Sequence, residues 1–258
     1  MSLLQVRDLK KHFGGVKALD GVGFDIGAGE CVALIGPNGA GKSTCFACLA
    51  GQQVPDAGRV AWGSAGSQGS AALQDITGYS VAALSQLGIG RSFQVAQVFE
   101  ALTVLQNMQL ATPVSNVLES FLPLKNQARA SSQALLAQLG LTEVAHTQAL
   151  LLPYGLKKRL ELGIALAASP VLLLLDEPAA GLVQAERHDL MALVKGLTRR
   201  ANQPVAVLYA EHNMDAVFGV ADRVLVLIDG KLAASGTPEQ IAQDPNVRQR
   251  YLGSAVHG

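Results

Sequence analysis

The chain has 258 residues, with 20 basic and 20 acidic side chains, and 49% of its residues are hydrophobic. This length suits one large α/β domain, or a domain with a smaller appendage. A net charge of zero argues against a polycationic nucleic-acid surface without excluding a DNA or RNA partner. The longest apolar runs are only as long as a strand, and no signal sequence opens the chain, so we expect a cytosolic protein that does not itself cross a bilayer.

The N-terminal part predicts a β-hairpin. Apolar and polar residues alternate over 3–9, which is typical of a half-exposed strand. A turn at 12–15 follows, and a second strand runs through Phe24 and Ile26. Phe13 lies on this glycine-rich turn, where a flat ring can stack on a purine, although an aromatic residue beside two glycines more often anchors packing.

The stretch 34–44 reads LIGPNGAGKST and has the spacing of a loop that wraps polyphosphate. The apolar run 31–35 predicts a buried strand before it, and a helix is predicted to begin near Gly41. Because glycine has no Cβ, such a loop can fold tightly and direct its N–H groups at phosphate oxygens. The candidate binding residues are Gly36, Asn38, Gly39, Ala40 and Gly41.

The side chains of the three residues after these glycines are predicted to contact the phosphates and the metal ion. Lys42 is predicted to reach the β- and γ-phosphates, and Ser43 to place its hydroxyl on Mg²⁺. Thr44 is predicted to donate to the α-phosphate from the first helical turn. The alternative, a glycine-rich turn without a ligand, is disfavoured by the buried strand that precedes the loop.

Three cysteines leave no even disulfide framework. Cys45 and Cys48 form a C-x-x-C pair on the helix after the phosphate loop, but no second pair of metal ligands accompanies them. We therefore expect small buried hydrophobic residues at these positions.

The amino-acid pattern changes twice in the middle of the chain. The stretch 62–72 reads WGSAGSQGSAA and is interpreted as a flexible hairpin tip with too little apolar surface to pack. Over 95–151, amphipathic patterns with few β-branched runs predict a mostly helical subdomain, with breaks at Pro113 and Pro123. Further strands are predicted at 205–210 and 224–228, and a helix at 184–200.

A continuous apolar run at 171–175 predicts a parallel strand that is covered on both faces. Asp176 and Glu177 follow it, and two carboxylates at the end of a buried strand are costly unless a cation compensates them. With the phosphate loop as their neighbour, Asp176 is predicted to hold Mg²⁺ through water and Glu177 to polarise the attacking water as a general base. The alternative is an ordinary acidic turn ended by Pro178.

Over nearly its whole length, and in the same order, the chain resembles the nucleotide-binding subunit of an ABC transporter. Residues 36–44 resemble the Walker A motif, and 171–178 the Walker B motif with its catalytic glutamate. The other matches are Gln94 at the Q-loop, 152–156 at the signature motif before a helix predicted over 157–168, 179–182 at the D-loop, Glu211-His212 at the switch histidine and Phe13 at the adenine-stacking position.

The resemblance implies an α/β fold with a P-loop NTPase core of the ABC type, whose sheet is mainly parallel, together with an antiparallel β subdomain and an inserted α-helical subdomain. One ABC ATPase domain would span 1–258, with the core and β subdomain in 1–94 and 170–258 and the helical signature subdomain in 95–169. ATP and Mg²⁺ are the implied cofactors. The implied catalytic residues are Lys42, Gln94, Glu177 and His212, and the implied metal ligands are Ser43, Gln94 and Asp176.

The signature segment departs from the family pattern Leu-Ser-Gly-Gly-Gln. Pro153 replaces the serine whose hydroxyl meets the γ-phosphate in the opposing subunit, and Tyr154 and Leu156 replace glycine and glutamine. Gly155 remains, so contact with nucleotide at 153–155 would depend on backbone N–H groups and the helix dipole.

Within the family, this chain is most similar to importer ATPases of the branched-chain amino acid type. The segments that carry this similarity are 88–94, 102–108, 236–239, 251–253 and Tyr154. Such importers pair two ATPase subunits, alike or different, with two membrane permeases and a separate solute-binding protein. The resemblance implies a peripheral position on the cytoplasmic face of the inner membrane. It does not identify the solute, since importers of urea, short amides or aromatic acids would use much the same ATPase.

Two other functions are compatible with a phosphate loop. A soluble ABC-type ATPase acting on nucleic acid or ribosomes would normally have two fused nucleotide domains or a long coiled coil. A metabolic kinase would need a basic lid over its acceptor, whereas the helical insert offers only Lys125 and Arg129 besides His146.

The start of the insert predicts a docking surface for a permease. Val98 and Phe99 stand beside Glu100, a mixture of apolar and charged residues that suits a partner helix. A core position for Phe99 is equally compatible with the sequence.

Overall fold

The structure is a computed structural model that describes residues 2–63, 73–91, 98–113, 129–201 and 203–249. The strands are β1 (Ser2–Phe13), β2 (Val16–Gly27), β3 (Cys31–Ile35), β4 (Ala57–Trp62), β5 (Gln74–Asp75), β6 (Ile89–Arg91), β7 (Leu172–Asp176), β8 (Ala206–Ala210), β9 (Arg223–Ile228) and β10 (Lys231–Gly236). The helices are α1 (Lys42–Leu49), α2 (Val81–Gln86), α3 (Val104–Ala111), α4 (Arg129–Gln138), α5 (Tyr154–Ala167), α6 (Gln184–Thr198), α7 (Met214–Phe218), α8 (Pro238–Gln243) and α9 (Pro245–Val247).

The central sheet is mainly parallel, in the order β10-β9-β3-β8-β7-β6, and only the edge strand β10 runs antiparallel to its neighbour. Its inner strands are buried on both faces, which explains their unbroken apolar sequences. In β3, for example, Val32 and Leu34 face one apolar core while Ala33 and Ile35 face the other. The predicted α/β class is confirmed.

The second sheet is antiparallel, in the order β2-β1-β4-β5. It shares one apolar core with α1 and one face of the parallel sheet. Trp62 corrects one prediction: it is the last residue of β4 and only 4% exposed, so the packed strand extends into the segment interpreted as flexible. Residues 64–72 of that segment lie outside the described part of the chain.

Polar contacts join the two sheets at both ends of β9. The Arg223 guanidinium contacts both carboxylate oxygens of Glu30, at 2.7 and 3.1 Å, and donates to the carbonyl oxygen of Asp25 at the end of β2. The N–H of Asp20 donates to the carbonyl oxygen of Gly230 in the β9–β10 turn, at 2.8 Å. The antiparallel sheet is therefore fixed against the parallel sheet at two places: by Gly230 at the end of the sheet where the phosphate loop lies, and by Arg223 at the opposite end.

The helices α3, α4 and α5 cover the other core, as the helical periodicity predicts. Met108, Leu136 and Leu160 belong to one continuous apolar cluster with Leu173 and Leu175 of the parallel sheet. Helix α3 ends at Ala111, before Pro113, where the break was predicted, whereas Pro123 lies outside the described residues.

The cysteines lie in the two cores. Cys31 and Cys45 are fully buried and Cys48 is 5% exposed, which confirms the prediction of small buried hydrophobic residues. Burial raises the pKa of the Cys31 thiol to about 12 and that of Cys48 to about 11. These thiols are therefore protonated and unreactive at neutral pH.

No helix in the described ranges is both long enough and apolar enough to span a bilayer.

Candidate functional site

The phosphate loop connects β3 to α1 and packs directly on the backbone of two other strands. A Cβ on Gly36 would lie 2.0 Å from the carbonyl oxygen of Leu227 in β9, and a Cβ on Gly41 would lie 2.3 Å from that of Ala18 in β2. Gly41 also has φ +102°, a left-handed conformation that favours glycine. Only glycine fits at these two positions.

Helix α1 begins without a capping side chain, because Gly41 is its N-cap residue. The N–H groups of its first turn therefore lack the side-chain partner that usually satisfies them, and this end of the helix is suited to an anion. Asn38, Gly39 and Ser43 are exposed beside it and Thr44 is partly exposed. Ala40 is different, because its methyl group is buried and its N–H donates to the Pro37 carbonyl oxygen at 3.2 Å.

The Lys42 side chain lies over this loop, and the residue is only 7% exposed. Its ammonium donates to the carbonyl oxygens of Gly36, at 2.7 Å, and Pro37, at 3.1 Å. Burial lowers the pKa of Lys42, and the nearby carboxylates of Glu177 and Asp176 oppose that shift. The lysine and both predicted acidic residues therefore belong to one electrostatic site.

Asp176 ends β7 and is 4% exposed. Burial raises the pKa of Asp176, the negative charge of Glu177 raises it further, and Arg91, Lys42 and His212 oppose the shift. A buried carboxylate that is costly to ionise is well matched to a cation, so this residue fits the predicted magnesium site. Within the described residues, His, Cys, Asp and Glu side chains form no group of three that could hold a metal.

Glu177 and His212 meet at the carboxyl ends of two adjacent strands. The His212 Nε2 atom lies 2.7 Å from Glu177 Oε1, and the Glu177 N–H donates to the carbonyl oxygen of Ala210 at 3.1 Å. Glu177 has φ +50°, which is uncommon for a residue with a side chain. The fold thus brings together two residues that are 35 positions apart in sequence.

Phe13 lies at the tip of the β1–β2 hairpin, paired with Val16. It is 47% exposed, so the alternative of a packing anchor is wrong. The Lys11 ammonium is 5.6 Å from the centre of its ring. Because Ala18 in the same hairpin touches Gly41, the exposed ring is on the strand pair that packs on the phosphate loop.

The signature-like segment differs from the prediction in where its helix begins. Helix α5 starts at Tyr154, with Pro153 as its N-cap, and not at Lys157. The free N–H groups of the first turn therefore belong to the segment itself. A Cβ on Gly155 would lie 2.6 Å from Glu186 Oε1, so this glycine is first of all packed against α6 of its own chain.

Gln94 lies outside the described residues, so its predicted place beside the metal stays a prediction. Three residues near the site were not singled out as functional by the sequence: Arg91, Glu186 and Glu211. For Glu211 a signal was present, because an acidic residue directly after a five-residue apolar strand requires buried partners.

Comparisons with known proteins identify the family of this chain. Residues 19–180 match the family model described as ABC transporter. The chain is 36% identical to the high-affinity branched-chain amino acid transport ATP-binding proteins LivG of Escherichia coli K12 and BraF of Pseudomonas aeruginosa, over 98% of this chain and 98% of each relative.

Among solved structures, the chain is similar to the ADP conformation of MJ1267, an ATP-binding cassette of an ABC transporter. The TM-score is 0.82 and the sequence identity 30%, with 98% of this chain and 99% of that chain covered. On the family model, the two relatives and this fold, the chain belongs to the ABC transporter family as one of its ATP-binding proteins.

Proposed function

We propose that this chain hydrolyses Mg-ATP to drive a membrane importer for branched-chain amino acids or a related small polar solute. The observation that carries the proposal is the contact of Glu177 with His212 in the same electrostatic site as Lys42. The relatives are named as transport proteins, which does not favour the alternative of an ATPase acting on nucleic acid or ribosomes.

The chain's own residues have distinct tasks in this proposal. Residues 36–44 bind the phosphates through backbone N–H groups and Lys42, and Phe13 stacks on the adenine. Ser43, Asp176 and Gln94 would hold Mg²⁺, which neutralises phosphate charge when it is bound. His212 contacts Glu177 Oε1, which leaves Oε2 to accept a proton from the attacking water.

Replacing Glu177 tests the assignment of the general base. Glu177→Gln keeps a group that can contact His212 but cannot take up a proton, so we expect hydrolysis to fall by roughly 10²- to 10⁴-fold while Mg-ATP still binds. Lys42→Ala should lose binding and hydrolysis together. Steady-state ATPase rates and equilibrium nucleotide binding provide the comparison, and hydrolysis near the wild-type rate in Glu177→Gln would refute the assignment.

We further propose that two such ATPase subunits pair, alike or different, so that the start of α5 faces the nucleotide of the opposing subunit. Its N-cap, Pro153, offers no hydroxyl, and so the backbone N–H groups at Tyr154 and Gly155 are the available donors. Tyr154 also holds the neighbouring loop, since its hydroxyl donates to the carbonyl oxygen of Ala180 at 3.2 Å.

The contact of Gly155 with Glu186 shapes the test of this pairing. Gly155→Ala should abolish ATP-dependent pairing, measured by size-exclusion chromatography with Mg-ATP in the Glu177→Gln background. The double variant Gly155→Ala, Glu186→Ala removes the carboxylate that the new methyl group would meet. If the glycine is needed at the opposing nucleotide, the second substitution will not restore pairing; restoration would show that its role is packing within one chain.

We propose that residues 95–169 form the helical subdomain that docks a permease. Phe99 is 62% exposed, so of the two positions compatible with the sequence the structure favours the surface. Buried Asn107 exchanges hydrogen bonds with the Phe99 backbone, at 2.8 and 3.1 Å, and fixes this segment. The Leu150 N–H donates to the carbonyl oxygen of Glu100, which adds an exposed leucine to the same patch.

Crosslinking tests the docking surface. Because the native thiols are buried, a cysteine introduced as Glu100→Cys can be modified selectively. In membranes that contain the assembled transporter, it should crosslink to a permease subunit. Glu239→Cys, on α8 beside the opposite edge of the sheet, is the control and should not. Equal labelling of the permease from both positions, or none from position 100, would contradict the docking site.

The solute is proposed from the names of the relatives alone. The chain would act at the cytoplasmic face of the inner membrane, with a solute-binding protein as an indirect partner. Cells that lack this ATPase should lose high-affinity uptake of radiolabelled leucine and regain it with the wild-type chain but not with Lys42→Ala. Unchanged leucine uptake together with loss of urea or amide uptake would assign a different solute.

A further inference from the structure

Glu211 is a buried carboxylate that the proposed hydrolytic mechanism does not use. It follows directly after β8, comes immediately before His212 and is 4% exposed. Transfer of a carboxylate from water to such a site is unfavourable unless hydrogen bonds compensate its charge. Within the described ranges, Glu211 forms no ion pair with a lysine, arginine or histidine.

Two backbone N–H groups supply this compensation, one to each carboxylate oxygen. The N–H of Ala179 donates to Glu211 Oε1 at 3.1 Å, and the N–H of His212 donates to Oε2 at 3.1 Å. Hydrogen bonds from backbone N–H groups stabilise the charged form of a carboxylate. Glu211 is therefore held as an acceptor that satisfies two donors at once.

These two donors lie on the two loops that carry the hydrolytic pair. Ala179 is two residues beyond Glu177 on the loop after β7, and His212 is the partner of Glu177 on the loop after β8. A third bond, from the Glu177 N–H to the carbonyl oxygen of Ala210, joins the same two loops. Beyond the ends of the paired strands β7 and β8, the backbones that carry Glu177 and His212 are thus tied together by this backbone bond and by the Glu211 side chain.

We propose that Glu211 is a positioning residue for ATP hydrolysis, holding the loops after β7 and β8 so that His212 and Glu177 keep their 2.7 Å contact. It acts through these two residues and does not touch the nucleotide. This inference depends on the proposed hydrolytic function of Glu177.

The same loop also touches the start of α5. Tyr154 donates to the carbonyl oxygen of Ala180, one residue beyond the N–H that Glu211 accepts, and a Cβ on Gly181 would lie 3.1 Å from the Tyr154 ring. The signature-like turn is therefore in direct contact with the loop that Glu211 ties to His212. Glu211 lies on a continuous path of contacts from Tyr154 to the hydrolytic pair.

Glutamine is the informative replacement because it has the size of glutamate but only one acceptor oxygen. In Glu211→Gln, one N–H donor keeps its partner while the other faces an NH₂ group, and in Glu211→Ala both donors lose theirs. Loss of an outer hydrogen-bond partner of a metal-ligating residue typically reduces activity about 10- to 100-fold, and we expect an effect of the same order for this positioning contact. We expect kcat to fall by at least about tenfold in Glu211→Gln and further in Glu211→Ala, with KM and Mg-ATP affinity within about twofold of wild type.

Tyr209→Phe is the matched control, on the strand that precedes Glu211. The Tyr209 hydroxyl is buried and reaches the carbonyl oxygens of Ala216 and Val217, at 3.4 and 3.3 Å, away from the loop after β7. Thermal unfolding of each variant shows how much stability it has lost. Tyr209→Phe should lower Tm with kcat unchanged, whereas Glu211→Gln should lower kcat more than its Tm accounts for.

A double-mutant cycle with His212→Ala tests whether Glu211 acts through the histidine. If it does, Glu211→Gln will reduce kcat much less in the His212→Ala background than in the wild type. Full additivity, an unchanged kcat in Glu211→Gln, or a fall in kcat that follows Tm as in the control would each overturn the inference. If Glu177→Gln remains active, the proposed hydrolytic role of Glu177 is wrong. This failure can be told apart from a failure of the inference about Glu211, because the Glu177→Gln variant leaves Glu211 unchanged.

Discussion

The site depends on the direct contact of the phosphate loop with the backbone of two strands. Gly36 lies on the Leu227 carbonyl of β9, and Gly41 lies on the Ala18 carbonyl of β2, with no room for a side chain at either point. One loop thereby connects the parallel sheet to the antiparallel sheet. The hairpin that carries Phe13 is fixed relative to Lys42 by the same contact. The shape of the loop and the arrangement of the two sheets therefore depend on each other, and only glycine leaves enough room at these two contacts.

Parallel strands explain why distant residues converge here. The carboxyl ends of β3, β7 and β8 lie at one edge of the sheet, where the lysine, the two acidic residues and the histidine follow their strands. The covered faces of the sheet also make this edge partly dehydrated. Burial therefore shifts the pKa of Asp176 upward and that of Lys42 downward, which strengthens the need of each for an opposite charge.

Much of this arrangement could be predicted from the sequence, because its strongest signals have a local physical cause. Apolar runs such as 171–175 give buried strands, and a glycine-rich loop before Lys42 gives a phosphate site. The errors occurred where tertiary contacts decide the outcome. The packed position of Trp62 depends on pairing with β1, which its Gly/Ser-rich neighbours conceal. The early start of α5 depends on Pro153, which is favourable before a helix although it is absent from the family pattern.

Contacts between residues far apart in sequence were also beyond prediction. The contact of Gly155 with Glu186 and the bond between Ala179 and Glu211 each join residues about thirty positions apart in sequence. No local pattern indicates which residues are the partners. The pair formed by Glu177 and His212 is different, because the order of the family motifs along the chain predicted that these two distant residues belong to one site.

The continuous apolar cluster beneath α3, α4 and α5 has a consequence for movement. Gly163 of α5 is so close to Leu139 and Met108 that a Cβ there would lie 2.7 Å from one and 2.8 Å from the other, and the same cluster continues into the sheet through Leu173. A hinge that opened this layer would expose the whole cluster to water, at a cost that grows with the area exposed. Small sliding displacements of the helical layer along the sheet would keep the cluster covered and avoid this cost.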